Sequence, residues 1–129
     1  MKTKTILFIG LLIISFNYAI GQAPNSADTL KNNLIIPKVF TPNGDDVNDV
    51  FVIQSLDYSA IQSFEIKIYS RWGNIVFESD DIKKAWDGKE EKKDLDEGVY
   101  VYFIIVKINN PENNEFEKVE HRETLTLLR

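Results

Sequence analysis

The stretch from Val99 to Ile108 constrains the fold of this chain more than any other. It reads VYVYFIIVKI, and its β-branched and aromatic residues alternate between the two sides of an extended strand. One side carries tyrosine, isoleucine and valine, and the other carries Val101, Phe103 and Ile105. A strand in a two-layer sandwich normally has one apolar and one polar side. The pattern therefore predicts a central strand whose second apolar side is covered by a loop or by a partner.

Shorter strand patterns precede and follow this central strand. Residues Ser63–Ser79 alternate on either side of the turn sequence SRWGN, which predicts a β-hairpin. Leu34–Phe40 is interrupted by Pro37, which cannot donate a ladder hydrogen bond and so places that strand at a sheet edge. Phe116–Leu128 forms the last strand. With six or seven strands and no convincing amphipathic helix, the chain is predicted to be all-β, an immunoglobulin-like β-sandwich of about seven strands, with a small open barrel as the alternative.

The segment FTPNGDDVNDVF, residues 40–51, joins the first strand to the rest of the domain, and we call it the acidic turn. Phe40 and Phe51 flank it, and two aromatic residues in these positions would pin its ends in the core. Pro42 fixes its own φ, and Gly44 accepts the positive φ that a tight turn needs. The acidic turn is therefore predicted to be ordered.

Two interpretations of the acidic turn remain open. Calcium binds several oxygen ligands, and Asn43, Asp45 and Asp49 could converge on one ion. The segment lacks the acidic twelfth position of an EF-hand and has Asp46 where a glycine would help the bend. The alternative is a turn held by hydrogen bonds between Asx side chains and backbone amides, without any cofactor.

The N-terminal residues have the composition of an export signal. Two lysines precede an apolar run from Ile6 to Phe16, and small residues follow up to Gly21, as in a secretory signal peptide. The apolar run is well short of the roughly 20 residues that span a bilayer, so no membrane insertion of the mature chain is expected. We divide the chain into a cleaved signal peptide (1–21), a polar tether (22–33) and one folded domain (34–129). The chain contains no cysteine, so the exported domain must fold without disulfides.

Charge and side-chain inventory exclude several function classes. The net charge is −5 at pH 7, and loss of the two leader lysines makes it more negative, which argues against nucleic acid as a partner. Repulsion between acidic copies favours a monomer. His121 is the only histidine, and the sequence has neither a Ser-His-Asp order nor a zinc-binding spacing. We therefore predict that the protein is not an enzyme.

Five motifs in chain order resemble a known family. They are IPKVFTPNGDDVNDVF, FEIKIYSRWGNIVFES, WDGK, DEGVYVYFI and the terminal TLTLLR. Together they are similar to the gliding-motility-associated C-terminal domain, the type B sorting domain of the Bacteroidetes type IX secretion system, over Leu34 to Arg129. The resemblance implies a module that reaches the periplasm and is then recognised by the outer-membrane translocon and its accessory partner protein. It implies the cell surface or the extracellular space as the destination.

In that family the domain follows a large passenger, whereas only the tether precedes the domain in this sequence. We therefore expect a non-enzymatic sorting or interaction module without a passenger. The alternative is a small surface-structural protein of immunoglobulin-like fold, such as an adhesin or an assembly subunit. Asp46 occupies a position where the family usually has glycine, and Lys92, Asp94 and Asp96 lie in a loop where glycine and proline are usual.

Candidate recognition residues lie on the central strand and on the last strand beside it. They are Val101, Phe103, Ile105, Leu125, Leu127 and Arg129. The alternative is that the loop Ser79–Glu97 folds back, anchored by Trp86, and covers the second side of the central strand. At the hairpin tip, Trp72 is either exposed or folded over an end of the core. The residues expected to shape the fold are Phe40, Pro42, Gly44, Phe51, Trp72, Gly73, Trp86, Asp87, Gly88, Gly98 and Tyr100.

Overall fold

The computed structural model describes residues 33–110 and 113–129. This part of the chain contains nine strands and one short 3-10 turn, Tyr58–Ala60. The strands are β1 (Leu34–Ile35), β2 (Val39–Phe40), β3 (Gln54–Ser55), β4 (Ile61–Tyr69), β5 (Ile75–Ser79), β6 (Lys89–Glu90), β7 (Lys93–Asp94), β8 (Gly98–Asn110) and β9 (Glu115–Leu127). The predicted all-β class is confirmed. There are nine strands instead of about seven because two-residue strands form where the sequence shows no strand period.

The predicted signal peptide and all of the tether except Asn33 lie outside the described residues. Within residues 33–110 and 113–129, no helix has the length and apolar character needed to cross a membrane.

Five strands form the main sheet, in the order β2-β9-β8-β4-β5. Its centre is the hairpin of β8 and β9, which pair without interruption from Gly98 and Leu127 to Asn110 and Glu115. Strand β4 pairs antiparallel with β8 on the other side, and β5 completes the predicted hairpin with β4. Strand β2 runs parallel to the end of β9. The predicted central strand is therefore confirmed as β8.

The second layer is made of short pieces that lie over one side of the main sheet. β1 pairs with β3, β6 pairs with β7, and Phe51 forms an isolated bridge with Trp86. Phe51 contacts Tyr102 of β8 with ring centroids 6.0 Å apart, so this layer packs directly on the central strand. The arrangement is consistent with an immunoglobulin-like sandwich that has one regular sheet and one fragmented layer.

Trp86 lies at the centre of the core between the two layers. It is 1% exposed, and its ring lies 5.3 Å from that of Phe40 and, edge to face, 5.3 Å from that of Tyr100. Its indole N–H donates to the carbonyl of Lys89 at 2.9 Å, which satisfies the one polar atom of the side chain. Loss of such a side chain typically costs about 3–5 kcal/mol. Trp86 therefore joins the second layer to the sheet.

The tyrosines of β8 share this environment. Tyr100 donates its hydroxyl hydrogen to the carbonyl of Asp96 at 2.7 Å. Burial raises the pKa of Tyr102 to about 12, and the charge of Glu123 adds to the effect. Burial also raises the pKa of Tyr100. Both side chains are therefore neutral at physiological pH.

Two segments differ from their predicted form. Pro37 divides the expected first strand into β1 and β2, and β2 lies at the predicted sheet edge. The loop Ser79–Glu97 contains the hairpin of β6 and β7, whose connecting residues Glu91 and Lys92 have φ of 48° and 73°. Two consecutive positive φ angles are what a type I′ turn requires, and Lys92 therefore occupies a position that suits glycine. Sequence alone gave no strand period there.

The motif residues occupy structural positions throughout the fold. Phe40, Phe51, Trp86 and Tyr100 are all in the core. The side chain of Asp87 accepts the amide of Lys89 at 3.1 Å. The four glycines of the motifs have positive φ: it lies between 75° and 83° at Gly44, Gly73 and Gly88 and is 148° at Gly98. Pro42 lies near Gly88. Trp72 is 77% exposed at the hairpin tip. The exposed alternative for Trp72 is thus confirmed.

The last strand requires a correction. Leu125 and Leu127 are 0% exposed and belong to the core, because they lie on the inward side of β9 with Val119. Their side chains do not reach the surface of the folded domain, so the prediction that they contact a partner directly is wrong. Their contribution is to hold the last strand in place.

Gly88 is where the second layer approaches the end of β9 most closely. Its φ is +75°, and a Cβ added there would lie 2.7 Å from Cδ1 of Leu127 and 3.3 Å from Cγ of Pro42. Since Leu127 is fully buried, it has no space to move away. Glycine at this position therefore permits both the backbone conformation and the packing.

We expect Gly88→Ala to destabilise the domain by about 2–4 kcal/mol, from backbone strain and overpacking together. Gly73→Ala is the matched control, because Gly73 has φ of +83° and nothing within 4 Å of an added Cβ. The control should lose only the strain component, about 1 kcal/mol. Urea denaturation measures both values. Equal losses in the two variants would contradict the packing role of Gly88.

Candidate functional site

The side of the main sheet that faces away from the second layer carries an apolar row along β8, which we call the outward row: Val99, Val101, Phe103 and Ile105. Val99 is 54% and Phe103 39% exposed, and the other two are half-buried. The structure thus brings together the three candidates predicted on this strand. Contiguous exposed apolar side chains on one strand are uncommon on a surface that meets only water.

Phe103 is held in the middle of the outward row by residues of both neighbouring strands. It lies opposite Lys67 of β4 and Arg122 of β9. The Arg122 guanidinium lies 4.8 Å from the ring centroid, and the ring of Tyr69 meets it edge to face at 5.6 Å. An aromatic side chain fixed in this way is ordered before any partner arrives, and aromatic and arginine residues are enriched among those that dominate binding energies.

Ion pairs flank the outward row on both sides. Lys67 lies 2.7 Å from Glu65 on β4, and Lys118 lies 2.6 Å from Glu120 on β9. The hydrogen bond and charge of Glu65 raise the pKa of Lys67. The face therefore has an apolar centre and a charged border, which is the usual composition of a protein interface.

The predicted alternative, that the loop around Trp86 covers this face, is wrong. Trp86 packs against Tyr100, whose side chain points to the inward side of β8. Its backbone forms a pair of hydrogen bonds with Phe51, of 2.8 and 2.9 Å, within the second layer. In the described residues, the loop thus covers the opposite side of the sheet and leaves the outward row exposed.

Arg129, the last candidate, binds inside the domain. Its amide donates to Oε1 of Glu97 at 2.6 Å. Its guanidinium donates to the carbonyls of Leu95 and Gly88 and lies 3.4 Å from Oδ1 of Asp94. These bonds fasten the end of the chain to the hairpin of β6 and β7. The structure supports a role in positioning the C-terminus and not the predicted direct contact with a partner.

Sequence reasoning missed two residues of the site, Tyr69 and Arg122. Both lie on the outward side next to Phe103. Side chains alternate along β4 and β9, and this alternation places Tyr69 and Arg122 on the outward side. That β4 and β9 are the neighbours of β8, however, is known only from the sheet topology. Only the strand order therefore identifies them.

The carboxylates of the acidic turn hold its conformation by accepting hydrogen bonds from N–H groups of the same turn. Asp49 accepts the amides of Asn43, Gly44 and Asp46 at 2.9, 2.7 and 2.8 Å. The side chain of Asp45 accepts the amide of Val47 at 2.9 Å and also the side-chain amide of Asn43 at 3.1 Å. These are the Asx hydrogen bonds of the second interpretation. The oxygens that calcium would need are engaged by backbone and side-chain N–H groups.

The hydrogen bond from the Gly44 amide, with those from Asp46 and Asn43, holds the pKa of Asp49 below its usual value against an opposing effect of desolvation. Asp46 has φ of 64°, so its backbone takes the conformation for which glycine is best suited. Within residues 33–110 and 113–129, no group of three or more histidine, aspartate or glutamate side chains is arranged to hold a metal ion.

Comparison with known families gives one clear result. The family model described as the CHU_C type IX secretion signal domain matches residues 34–120. The match begins at β1 and ends within β9, so it includes the second layer, the central strand and the first half of the last strand. No curated protein matches the chain significantly. The predicted family is confirmed, and four of the five motifs lie within the matched residues.

We expect Asp49→Asn to lower the melting temperature at pH 7, because the amide keeps one acceptor oxygen and loses the charge that three backbone amides stabilise. A carboxyl with a lowered folded pKa stabilises the fold above its unfolded pKa of about 3.9. That contribution is lost as pH falls through the folded value. The difference between parent and variant should therefore shrink below about pH 4.

Thermal melts between pH 2 and 7 measure this difference. Asp80→Asn, at an exposed acid after β5, is the control for loss of charge. A variant of Asp49 that melts like the Asp80 variant at every pH would contradict the closing role of Asp49.

We also expect millimolar calcium to leave the melting temperature unchanged relative to chelator. A ligand that binds only the native state stabilises it by about 2.7 kcal/mol at a hundred times its Kd, which a thermal melt detects easily. The carboxylates of the acidic turn already accept N–H groups, so calcium would compete with these hydrogen bonds for the same oxygens. A clear rise in melting temperature that disappears in Asp45→Ala would favour the calcium interpretation instead.

Proposed function

Since the chain belongs to the family of CHU_C type IX secretion signal domains, we propose that its outward face is the surface that the secretion machinery recognises. The family is a sorting module and not a catalytic one, and its signal directs export to the cell surface or the extracellular space. We propose further that the reader of this signal is the outer-membrane translocon with its accessory partner protein.

The single observation that carries this proposal is the exposed row around Phe103. Each large apolar side chain left in water forgoes roughly 1.5–3 kcal/mol relative to full burial. The second layer covers the other side of β8, and among the described residues the outward row has no comparable cover. A partner that buries this row would recover that free energy at a site already ordered by Arg122 and Tyr69.

Position in the fold also supports a recognition role. β8 is the central strand of the main sheet, and its neighbours β4 and β9 fix it on both sides. Side chains on such a strand have little freedom to lose on binding, so the cost of ordering an interface is small. The folded sheet would therefore act as the signal, in contrast to a flexible terminal peptide.

The test is a fusion of Leu34–Arg129 behind a signal peptide and a reporter passenger, in a host that has type IX secretion and the cognate partner protein. Among residues 33–110 and 113–129, every residue of the core cluster lies between Leu34 and Leu127, so the fused piece contains this core. We expect the parental fusion to be secreted. A fusion that remains periplasmic would favour the surface-structural alternative.

Within that fusion, we expect Phe103→Glu to reduce secretion by at least about tenfold, because a charge replaces the central aromatic contact of the interface. The melting temperature should change little, since the new carboxylate would lie between Lys67 and Arg122 on an exposed surface. Leu56→Glu is the matched control, because Leu56 is 68% exposed and lies away from the outward row. Normal secretion of a stable Phe103→Glu fusion would contradict the proposal.

A further inference from the structure

Strand β9 leaves most of one edge of the main sheet without a neighbouring strand. All thirteen of its residues pair with β8 on one side. On the other side, β2 pairs only with Thr126 and Leu127. Within the described part of the chain, no strand adjoins positions 115–125 on that side. The strand contains no proline and its pairing with β8 shows no bulge, so of the common devices that protect a sheet edge it carries charged side chains.

The hydrogen bonds to β2 show which backbone groups point to the open side. The amides of Thr126 and Leu128 donate to the carbonyls of Lys38 and Phe40. Backbone groups alternate along a strand, so the even-numbered residues before Thr126 point the same way. Their side chains lie on the outward face, as the stacking of Arg122 on Phe103 shows. The even-numbered residues of β9 therefore supply the backbone groups that point to the open side, and they also carry the outward side chains.

We propose that this edge pairs antiparallel with the same edge of a second copy of the chain, about a two-fold axis at Val119. In that register Lys118 lies opposite Glu120 of the second copy, and Glu120 opposite its Lys118. Phe116, which is 53% exposed, lies opposite Arg122. Arg122 already stacks on Phe103 with one side of its guanidinium, and the other side is available for a second ring.

Neighbouring registers are less favourable. If the axis lies at a residue of β9, even-numbered residues pair with even-numbered residues and every side chain stays on its own face. An axis midway between two residues would pair even-numbered with odd-numbered residues and so mix the two faces. An axis at Lys118 or Glu120 would place that residue opposite its own copy, with like charges in contact. An axis at His121 would bring the beginning of the second copy's β9 to Thr126, where β2 already pairs. The axis at Val119 places no charged residue opposite its own copy, and its paired stretch ends before Thr126. Its one like-charge pair, Glu115 opposite Glu123, lies at the ends of the paired stretch.

Pairing at Val119 would join the two main sheets into one continuous sheet with both outward faces on the same side. The two rows on β8 would then be three strand spacings apart, about 14 Å. The expected monomer was based on net negative charge, but the Debye length at physiological salt is only about 8 Å, so contact pairs outweigh distant repulsion. Self-association through this edge would not require recognition by the secretion machinery.

Charge reversals at the edge test the register by sedimentation equilibrium at physiological salt, with the chain purified without its predicted leader. The parent should dimerise at concentrations on the order of 10–100 µM, as expected for a small interface. Glu120→Lys or Lys118→Glu alone should weaken dimerisation about tenfold or more, because each places like charges in contact twice. The double variant should recover to within about threefold of the parent.

Glu65→Lys is the matched control. Glu65 lies on the same face two strands from the edge, and its ion pair with Lys67 at 2.7 Å corresponds to that of Glu120 with Lys118 at 2.6 Å. The variant makes the same change in net charge and should dimerise like the parent. A parent that stays monomeric above about 200 µM would overturn the proposal. So would a dimer in which Glu120→Lys behaves like Glu65→Lys, because self-association would then use another surface.

Discussion

The packing of Trp86 against the inward side of β8 is the interaction on which the rest of this domain depends. The indole contacts rings from β2 and β8, and its backbone pairs with Phe51 at the end of the acidic turn. The second layer has only two-residue strands, which could not remain in place by their own hydrogen bonds. One buried tryptophan therefore holds together segments that are distant in sequence, and in doing so covers one of the two apolar sides of the central strand.

Covering that side determines what the other side can do. The outward row remains exposed, with Phe103 held by Arg122 and Tyr69 and bordered by ion pairs. This division fits the proposed function, because a sorting signal has to be stably folded and still present a surface for recognition. The core and the proposed recognition surface are the two sides of the same strand. A mutation on the outward side should therefore cost little stability, because it leaves the packing of the inward side intact.

The last residues of β9 and Arg129 are also held in place by contacts within the domain. Because Gly88 has no side chain, Leu127 can pack into the core beside it. The guanidinium of Arg129 donates to the carbonyls of Gly88 and Leu95. The C-terminus is thus part of the folded structure, and the open edge of β9 begins where β2 ends. The acidic turn is likewise self-contained, because Asp49 supplies the acceptors that its backbone amides need.

The sequence by itself determined the strand class, the central strand, the hairpin of β4 and β5, and the family. Alternation is a local property, so a period of two along Val99–Ile108 or Phe64–Tyr69 shows that a strand forms and separates its side chains into two sets. The family could be recognised because its motifs lie in turns, where glycine, proline and Asx residues are dictated by the backbone.

Only the tertiary structure decided which set of side chains faces the core. Both sets on β8 are apolar, and the choice between them depends on where Trp86 packs, a contact between strands and loops far apart in sequence. For the same reason Leu125, Leu127 and Arg129 could not be assigned correctly: their neighbours come from β2, Gly88 and the hairpin of β6 and β7. Alternation separates the two faces of a strand, but long-range packing decides which of them is buried.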